Sequence, residues 1–239
     1  MVQTLSISQL LHEELKQIIA HSAPGERLPA EPKLARQLGV SRATLREAMR
    51  TFEIQGQIRR RQGSGTYVIH PTHILESGLE ALESIESMAA RLNIEVGVGD
   101  IQIDHRFPEN IEIEKLAIPN EQKIWSVKRV IVTKDRPVAY LIDVVPDDLI
   151  YPNEIEKKFT GSMLDFFLKR GTPTIVSSLC EINAEPANSD VARALEIQRH
   201  DGLLLFSALL YAENGRIIDY SLSYFLPGYF RFHVIRRIE

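Results

Sequence analysis

The chain has 239 residues and an ordinary apolar share of 44%, which leaves room for two modest domains and gives no compositional reason for disorder. Its formal net charge of −4 is unevenly spread: residues 1–75 hold 10 Lys+Arg against 6 Asp+Glu, and the rest holds 18 against 26. A basic N-terminal third on an acidic body suits a chain in which one module meets a polyanion. The single cysteine, Cys180, excludes an internal disulfide and a cysteine-based zinc site. The lack of a signal pattern or a membrane-length apolar run leads us to expect a soluble, cytoplasmic protein with no membrane partner.

A first helix is predicted from Ser6 to His21, with Ile7, Leu10, Leu11, Leu15, Ile18 and Ile19 at three- and four-residue spacing. Ala23-Pro24-Gly25 ends it. A short second helix starts near Glu31, tolerates Pro32 in its first turn and stops at Gly39. Ser41 is a suitable N-cap for a third helix from Arg42 to about Gln55, with Leu45, Ala48, Met49 and Phe52 facing inward. Ile58–Arg61 and Thr66–Ile69 flank Gln62-Gly63-Ser64-Gly65 and read as a hairpin. His70-Pro71-Thr72-His73 marks a boundary, so the expected organisation is a domain over 1–69, a linker over 70–78 and a second domain over 79–239.

In the second domain, a helix is predicted over Leu79–Leu92. Strands are predicted over Ile101–Phe107, Ile124–Thr133, Val138–Val145, Ser177–Ala184, Leu203–Ala212 and Ile217–Phe225, and helices over Ser162–Arg170 and Ala187–Leu195. Turn chemistry at Lys134-Asp135-Arg136-Pro137 and Glu213-Asn214-Gly215-Arg216 makes adjacent strands antiparallel. The fold class is α+β, with one mainly antiparallel sheet.

Short helix, tight turn and a second helix with a basic outer face form a helix-turn-helix, whose second helix can enter a major groove. Ser41, Arg42, Thr44, Arg46 and Arg50 lie along that face, with Lys33 on the preceding helix. Arg suits paired bonds to guanine edges, and hydroxyls suit phosphates or bases. Arg59, Arg60 and Arg61 lead into Gly63, Ser64 and Gly65, where a missing Cβ lets the backbone approach a phosphate or a minor groove. Taken singly, an arginine row is more often a solvated helix face, and Gly-Ser-Gly more often a plain turn.

The runs Leu28-Pro29-Ala30-Glu31, Leu34-Ala35, Leu38-Gly39-Val40-Ser41-Arg42 and Thr44-Leu45-Arg46-Glu47-Ala48, with Gly56-Gln57-Ile58 and Gln62 to Val68, resemble the GntR family of bacterial regulators across about residues 5–69. The resemblance implies a winged helix-turn-helix that binds palindromic double-stranded operator DNA as a homodimer, with Arg42, Thr44, Arg46 and Gly63 contacting DNA. Where some members carry a DNA-contacting Arg, this chain has Pro32, and the adjacent Lys33 is the candidate replacement.

Residues 77–239 resemble the UTRA effector domain of the HutC subfamily, through Arg129, Pro137-Val138-Ala139, Gly161-Ser162, Ala192–Leu195 and Gly215–Phe232. This implies a chorismate-lyase-like, six-stranded antiparallel sheet with flanking helices, dimerisation, and a small-molecule effector pocket. The positions carried over are Arg129, Ile131, Leu141, Ser162, Leu164, Asp219 and Phe225. Ile131 stands where phosphosugar-binding members have a basic residue, Leu141 where they have an acid, and Leu164 and Phe225 where they have Tyr. One arginine among apolar residues suits an effector with a carboxylate head and an apolar body; the plainer alternative pairs Arg129 with a surface carboxylate.

Cys180 is expected to be a small buried hydrophobe. No nucleophile stands beside a base in the sequence, and His105, His200 and His233 are scattered, so no enzyme activity, cofactor or metal is expected. Two rival classes remain open: a lyase-like enzyme with an accessory DNA-binding domain, and a sequence-blind chromosome-associated protein.

Overall fold

The computed structural model describes residues 7–54, 56–61, 63–69, 75–134, 136–159 and 161–234. Gln55, Gln62, residues 70–74 of the expected linker, and Asp135 lie outside the described residues. The chain divides into two compact units, residues 1–74 with 227–229, and residues 75–226 with 230–239.

In the first unit, α1 (Ile7–His21), α2 (Glu31–Gln37) and α3 (Arg42–Ile54) precede a hairpin of β1 (Ile58–Arg61) and β2 (Gly65–Val68). Leu11, Leu15 and Ile19 of α1, Leu34 of α2, and Leu45, Met49 and Phe52 of α3 are buried together with Leu28, Ile58 and Val68. Each fully buried aliphatic or aromatic side chain contributes about 1.5–3 kcal/mol, which is how so small a unit holds three helices together. Leu10, placed on the inner stripe by spacing, stands 48% exposed. Arg59 pairs with Tyr67 across the hairpin, and an isolated bridge from Arg27 to Tyr67 adds a third strand-like contact.

The second unit begins with β3 (Leu75–Gly78) and α4 (Ile85–Arg91), followed by β4 (Gly97–Arg106), α5 (Asn110–Leu116), β5 (Ile124–Val132) and β6 (Pro137–Pro146). Then come α6 (Pro152–Lys158), α7 (Met163–Arg170), β7 (Ile175–Pro186), α8 (Ser189–Ala194), β8 (Gly202–Ala212), β9 (Ile217–Phe225) and β10 (Phe230–His233). Six strands form one antiparallel sheet in the order β4-β5-β6-β9-β8-β7. A separate parallel pair joins β3 to β10, Leu75 opposite Phe230 and Gly78 opposite His233. Alternation along the strands gives the sheet two packed faces. One buries Val127, Val145 and Leu210 with Phe166 and Phe167 of α7. The other buries Ile124, Val144 and Tyr220 with Leu116 of α5.

The helix expected over Leu79–Leu92 starts only at Ile85. Leu79 N donates to His233 O at 2.8 Å, which prolongs the β3–β10 pairing, and the Ser84 hydroxyl caps α4 by accepting from Ser87 N at 2.9 Å. Four of these elements were not foreseen: α5, opened by a Glu109–Glu112 capping box; α6, with Pro152 in its first turn; and β3 and β10 of the short parallel pair. Cys180 is exposed, not buried, because β7 is an edge strand.

Candidate nucleic-acid interface and ligand cavity

The Ser41 side chain caps α3, accepting from Thr44 N at 3.1 Å, and its hydroxyl lies 2.8 Å from that of Thr44. The cap fixes the first turn of α3, so Arg42, Thr44 and Arg46 all stand exposed beside it. Arg46 is not unengaged: its Nε lies 2.6 Å from Glu31 Oε2 at the start of α2. Arg50 is half-buried, with Nη1 4.0 Å from Glu47. Arg60 turns back toward α3, donating from Nη2 to Arg46 O at 3.2 Å and pairing with Glu53 at 3.6 Å. Lys33 and Arg61 are exposed, Arg61 over the Tyr67 ring at 5.3 Å.

At the hairpin tip, Gly63 has φ +73° and Gly65 φ +123°, where an L side chain is strained. A Cβ on Gly65 would stand 2.6 Å from Arg27 Nε, whereas one on Gly63 would meet nothing within 4 Å. The Ser64 hydroxyl, 2.7 Å from Tyr67 Oη, braces the tip. The outer edge of this unit is therefore a capped helix start carrying exposed cationic side chains and a glycine hairpin tip open to close approach.

In the second unit, a cavity of about 500 Å³ lies on the sheet face that carries Arg129. Its floor comes from β5, β6, β9, β8 and β7, and its roof from residues 78–85 with Met88 of α4, Ser162 and Leu164 at the start of α7, and Phe232 of β10. Six of the seven positions singled out in the sequence line it: Arg129, Leu141, Ser162, Leu164, Asp219 and Phe225. Ile131 shares the face of Arg129, is fully buried opposite Ala139, and is not among the lining residues. Sequence reasoning missed the other wall residues, chiefly Asp143, Ser221 and Ser223 on the floor, Phe206 and Phe232 at the aromatic end, and the segment 78–85.

Arg129 is neither a solitary anion receptor nor a surface residue. It is 5% exposed, and Nη1 donates to Asp143 Oδ2 at 2.5 Å. Its Nε faces Glu86 Oε1 of α4 at 3.5 Å. The arginine expected to face a ligand carboxylate is thus hydrogen-bonded to one carboxylate of the chain and lies within ion-pair distance of a second. Where relatives in the resemblance carry an acid at the Leu141 position, this strand carries its acid one pleat further along, at Asp143, on the same face. Burial pushes Asp219 well up, and the nearby charge of Asp143 pushes it further; Arg129 and a Val144 backbone contact oppose this only in part. Asp143 is also raised by burial, but it has the guanidinium in direct contact, so of the two Asp219 is pushed further toward its protonated form.

A larger, open depression of about 770 Å³ lies on the opposite face, where Lys128, Lys134, Arg136 and Arg193 mix with Asp100, Asp190 and Glu196. None of the seven expected positions lines it. Among the described residues no group of His, Cys, Asp or Glu could hold a metal ion, and no helix is long and apolar enough to cross a membrane.

A capped recognition-type helix beside a glycine hairpin, joined in one chain to a sheet domain with a ligand-sized cavity, defines a ligand-responsive DNA-binding regulator. Comparison with known proteins gives the family. Residues 5–68 match the bacterial regulatory proteins of the gntR family, and residues 87–231, more than half of the chain, match the UTRA domain. The chain belongs to the GntR family of transcriptional regulators and carries a UTRA effector-binding domain.

It is 28% identical over 234 residues to the HTH-type transcriptional repressor NagR of Bacillus subtilis, covering 95% of this chain and 93% of that protein. It is 32% identical over 226 residues to the HTH-type transcriptional regulator YurK of the same organism, covering 89% of each. The crystal structure of PhnF from Mycobacterium smegmatis shares the fold, with a TM-score of 0.65 at 20% identity, covering 96% of this chain and all of that one. The family and these relatives are transcriptional regulators, not enzymes, which removes the lyase alternative.

Proposed function

We propose that this chain is a dimeric cytoplasmic repressor, released from a palindromic operator when a small molecule fills the 500 Å³ cavity of the UTRA domain. The cavity roof carries the reading. The second unit opens with β3 at Leu75, and the lid over the sheet, residues 78–85, follows directly. A ligand held between floor and lid thus touches residues that closely follow, in sequence, the boundary between the two units at residue 74. Differential binding to two arrangements of that segment shifts their populations, and operator affinity follows. The repressor sign rests on relatives such as NagR, which is named a repressor.

Dimerisation follows from the reading task. Each chain supplies one α3, and specific recognition of a palindrome takes two, set about 34 Å apart to meet successive half-sites. Within α3 and the hairpin, Ser41, Arg42, Thr44, Arg46 and Arg50 form the groove-facing set. Lys33, Arg60, Gly63, Ser64 and Gly65 serve the backbone or the adjacent groove.

The test starts with full-length protein and a random duplex pool. Selected fragments should share two inverted half-sites, and light scattering should give twice the 27.1 kDa chain mass. Binding of a selected duplex should weaken when a cavity ligand is added. Equal affinity for selected and random DNA at physiological salt would overturn the reading in favour of the sequence-blind alternative. An unchanged operator affinity with the cavity filled would remove the sensing half.

A further inference from the structure

Along β9, the residues facing the cavity run Asp219, Ser221, Ser223, Phe225. Six residue steps of strand span about 20 Å, so the floor grades from acid through hydroxyl to aromatic over the length of one small ligand. At the aromatic end Phe225 packs against Phe206 and Phe232, with ring centroids 5.1 and 5.0 Å away. At the acid end Asp219 is 6% exposed, and its Oδ1 is buried with no hydrogen-bond partner.

The features that could attract an anion are engaged from within the chain, apart from Arg129 Nε, which is buried 3.5 Å from Glu86 Oε1 with no hydrogen-bond partner. Arg129 is held by Asp143 and faces Glu86. At the start of α7, Asp165 accepts from the Ser84 hydroxyl at 2.8 Å, and its own N–H donates to the Ser162 hydroxyl at 3.1 Å. That places the chain's own carboxylate at the positive end of the helix. Around Arg129 stand Asp143, Glu86 and Asp219, and both oxygens of Glu86 also lack hydrogen-bond partners. An acceptor that is buried and unsatisfied carries its desolvation cost until a donor arrives. A carboxylate or phosphate at the acid end would add a further negative charge to three carboxyl groups.

We infer that the effector is an elongated amine, whose ammonium head binds Asp219 beside the Arg129–Asp143 pair and whose apolar or aryl end lies against Phe206, Phe225 and Phe232. This rests on the cavity being the effector site, and it reverses the sign of the head group expected from Arg129 alone. Ser221 and Ser223 suit hydroxyl or amide groups in the middle of such a molecule. When the ammonium binds, Asp219 gives its proton to solvent and becomes the counter-ion.

The test uses the full chain and three phenylalkyl series of two to ten methylenes, ending in ammonium, hydroxyl or carboxylate, with glucose 6-phosphate as an anionic control. Thermal unfolding and calorimetry are the readouts, the latter in buffers of different ionisation enthalpy. One ammonium series member should raise the melting temperature and bind at least tenfold more tightly than its matched carboxylate, releasing a fraction of a proton. Asp219→Asn should abolish both the preference and the proton release, while Asp190→Asn, exposed on the opposite face of the sheet, should keep both. Carboxylates or glucose 6-phosphate binding more tightly than the amines would overturn the inference, as would no binding by any amine in the series. Operator binding, measured separately, distinguishes the two proposals. An amine that binds in the expected manner yet leaves DNA affinity unchanged defeats the effector reading and not the ligand class.

Discussion

The contact between Arg46 and Glu31 makes a quantitative prediction about DNA binding. Arg46 is a candidate base-reading side chain, yet in the DNA-free chain its Nε is 2.6 Å from Glu31 Oε2. To reach a guanine edge it must leave that carboxylate. The pair is part-exposed, with side chains 54% and 19% accessible, so its worth is about 0.2–1 kcal/mol. Glu31→Gln removes the competitor and should tighten operator binding by about 1.4- to 5-fold. Arg46→Ala should loosen it by about 1–3 kcal/mol and relax preference at one base position. In the Arg46→Ala background, Glu31→Gln should have little further effect, because the competition it relieves is gone. Fluorescence anisotropy on a selected duplex, with all four proteins at one salt concentration, gives the cycle. If Glu31→Gln loosens binding and Arg46 is required for that loss, Glu31 orients the arginine for reading and the competition argument is wrong. Normal binding by Arg46→Ala removes the residue from the readout altogether.

Arg129→Met leaves buried Asp143 and half-buried Glu86 without their cation, and should cost about 3–5 kcal/mol of stability. Scanning calorimetry should show a lower transition for the second unit, partly restored by adding Asp143→Leu. Because Asp219 is raised by burial, its folded form keeps the proton where the unfolded chain has lost it. Its contribution to stability is therefore full below the ordinary carboxylate range and declines as pH rises through the folded value; the pH-dependence of unfolding should flatten in Asp219→Asn. Arg60→Ala should weaken binding to every duplex and lower the salt slope by about 1, as read from titrations at several salt concentrations. Gly65→Ala places a Cβ 2.6 Å from Arg27 Nε at a φ of +123°, and should destabilise the first unit by about 1–3 kcal/mol in denaturant melts.

Much of this was legible in the sequence where local chemistry decides. The Ser41 cap, the Gly39 stop, the inner face of α3 and the Gly63–Gly65 turn each depend on residues a few positions apart, and all appear where spacing put them. The strands of the sheet were found for the same reason, through alternation and turn residues. What failed depends on partners far along the chain. Leu79–Ser84 carries apolar spacing suited to a helix, but a bond to His233 and the Ser84 cap keep it out of one. Cys180 sits in an apolar strand, and only its edge position leaves it exposed. Asp143 was within reach: hairpin register puts it diagonal to Arg129 on one face, so counting back from the Lys134–Pro137 turn would have paired them. Glu86, 43 positions from Arg129, gave no such signal.

The size of the signal that must pass from cavity to operator sets a limit on what the lid has to do. A 30-fold change in operator affinity is about 2 kcal/mol of coupling. The floor is a six-stranded ladder and offers little that could change cheaply. The lid is tied down by far less. The four-residue β3–β10 pairing and the Leu79–His233 bond hold one end, and the Ser84 and Ser87 hydroxyls hold the other through Asp165 at 2.8 and 3.4 Å. Hydrogen bonds of this kind are each worth about 0.5–1.5 kcal/mol net. Making or breaking two of them as a ligand enters therefore matches the coupling required, with no rearrangement of the sheet. The residues that take part in that exchange follow, in sequence, the boundary at residue 74 where the long stretch of the DNA-binding unit ends.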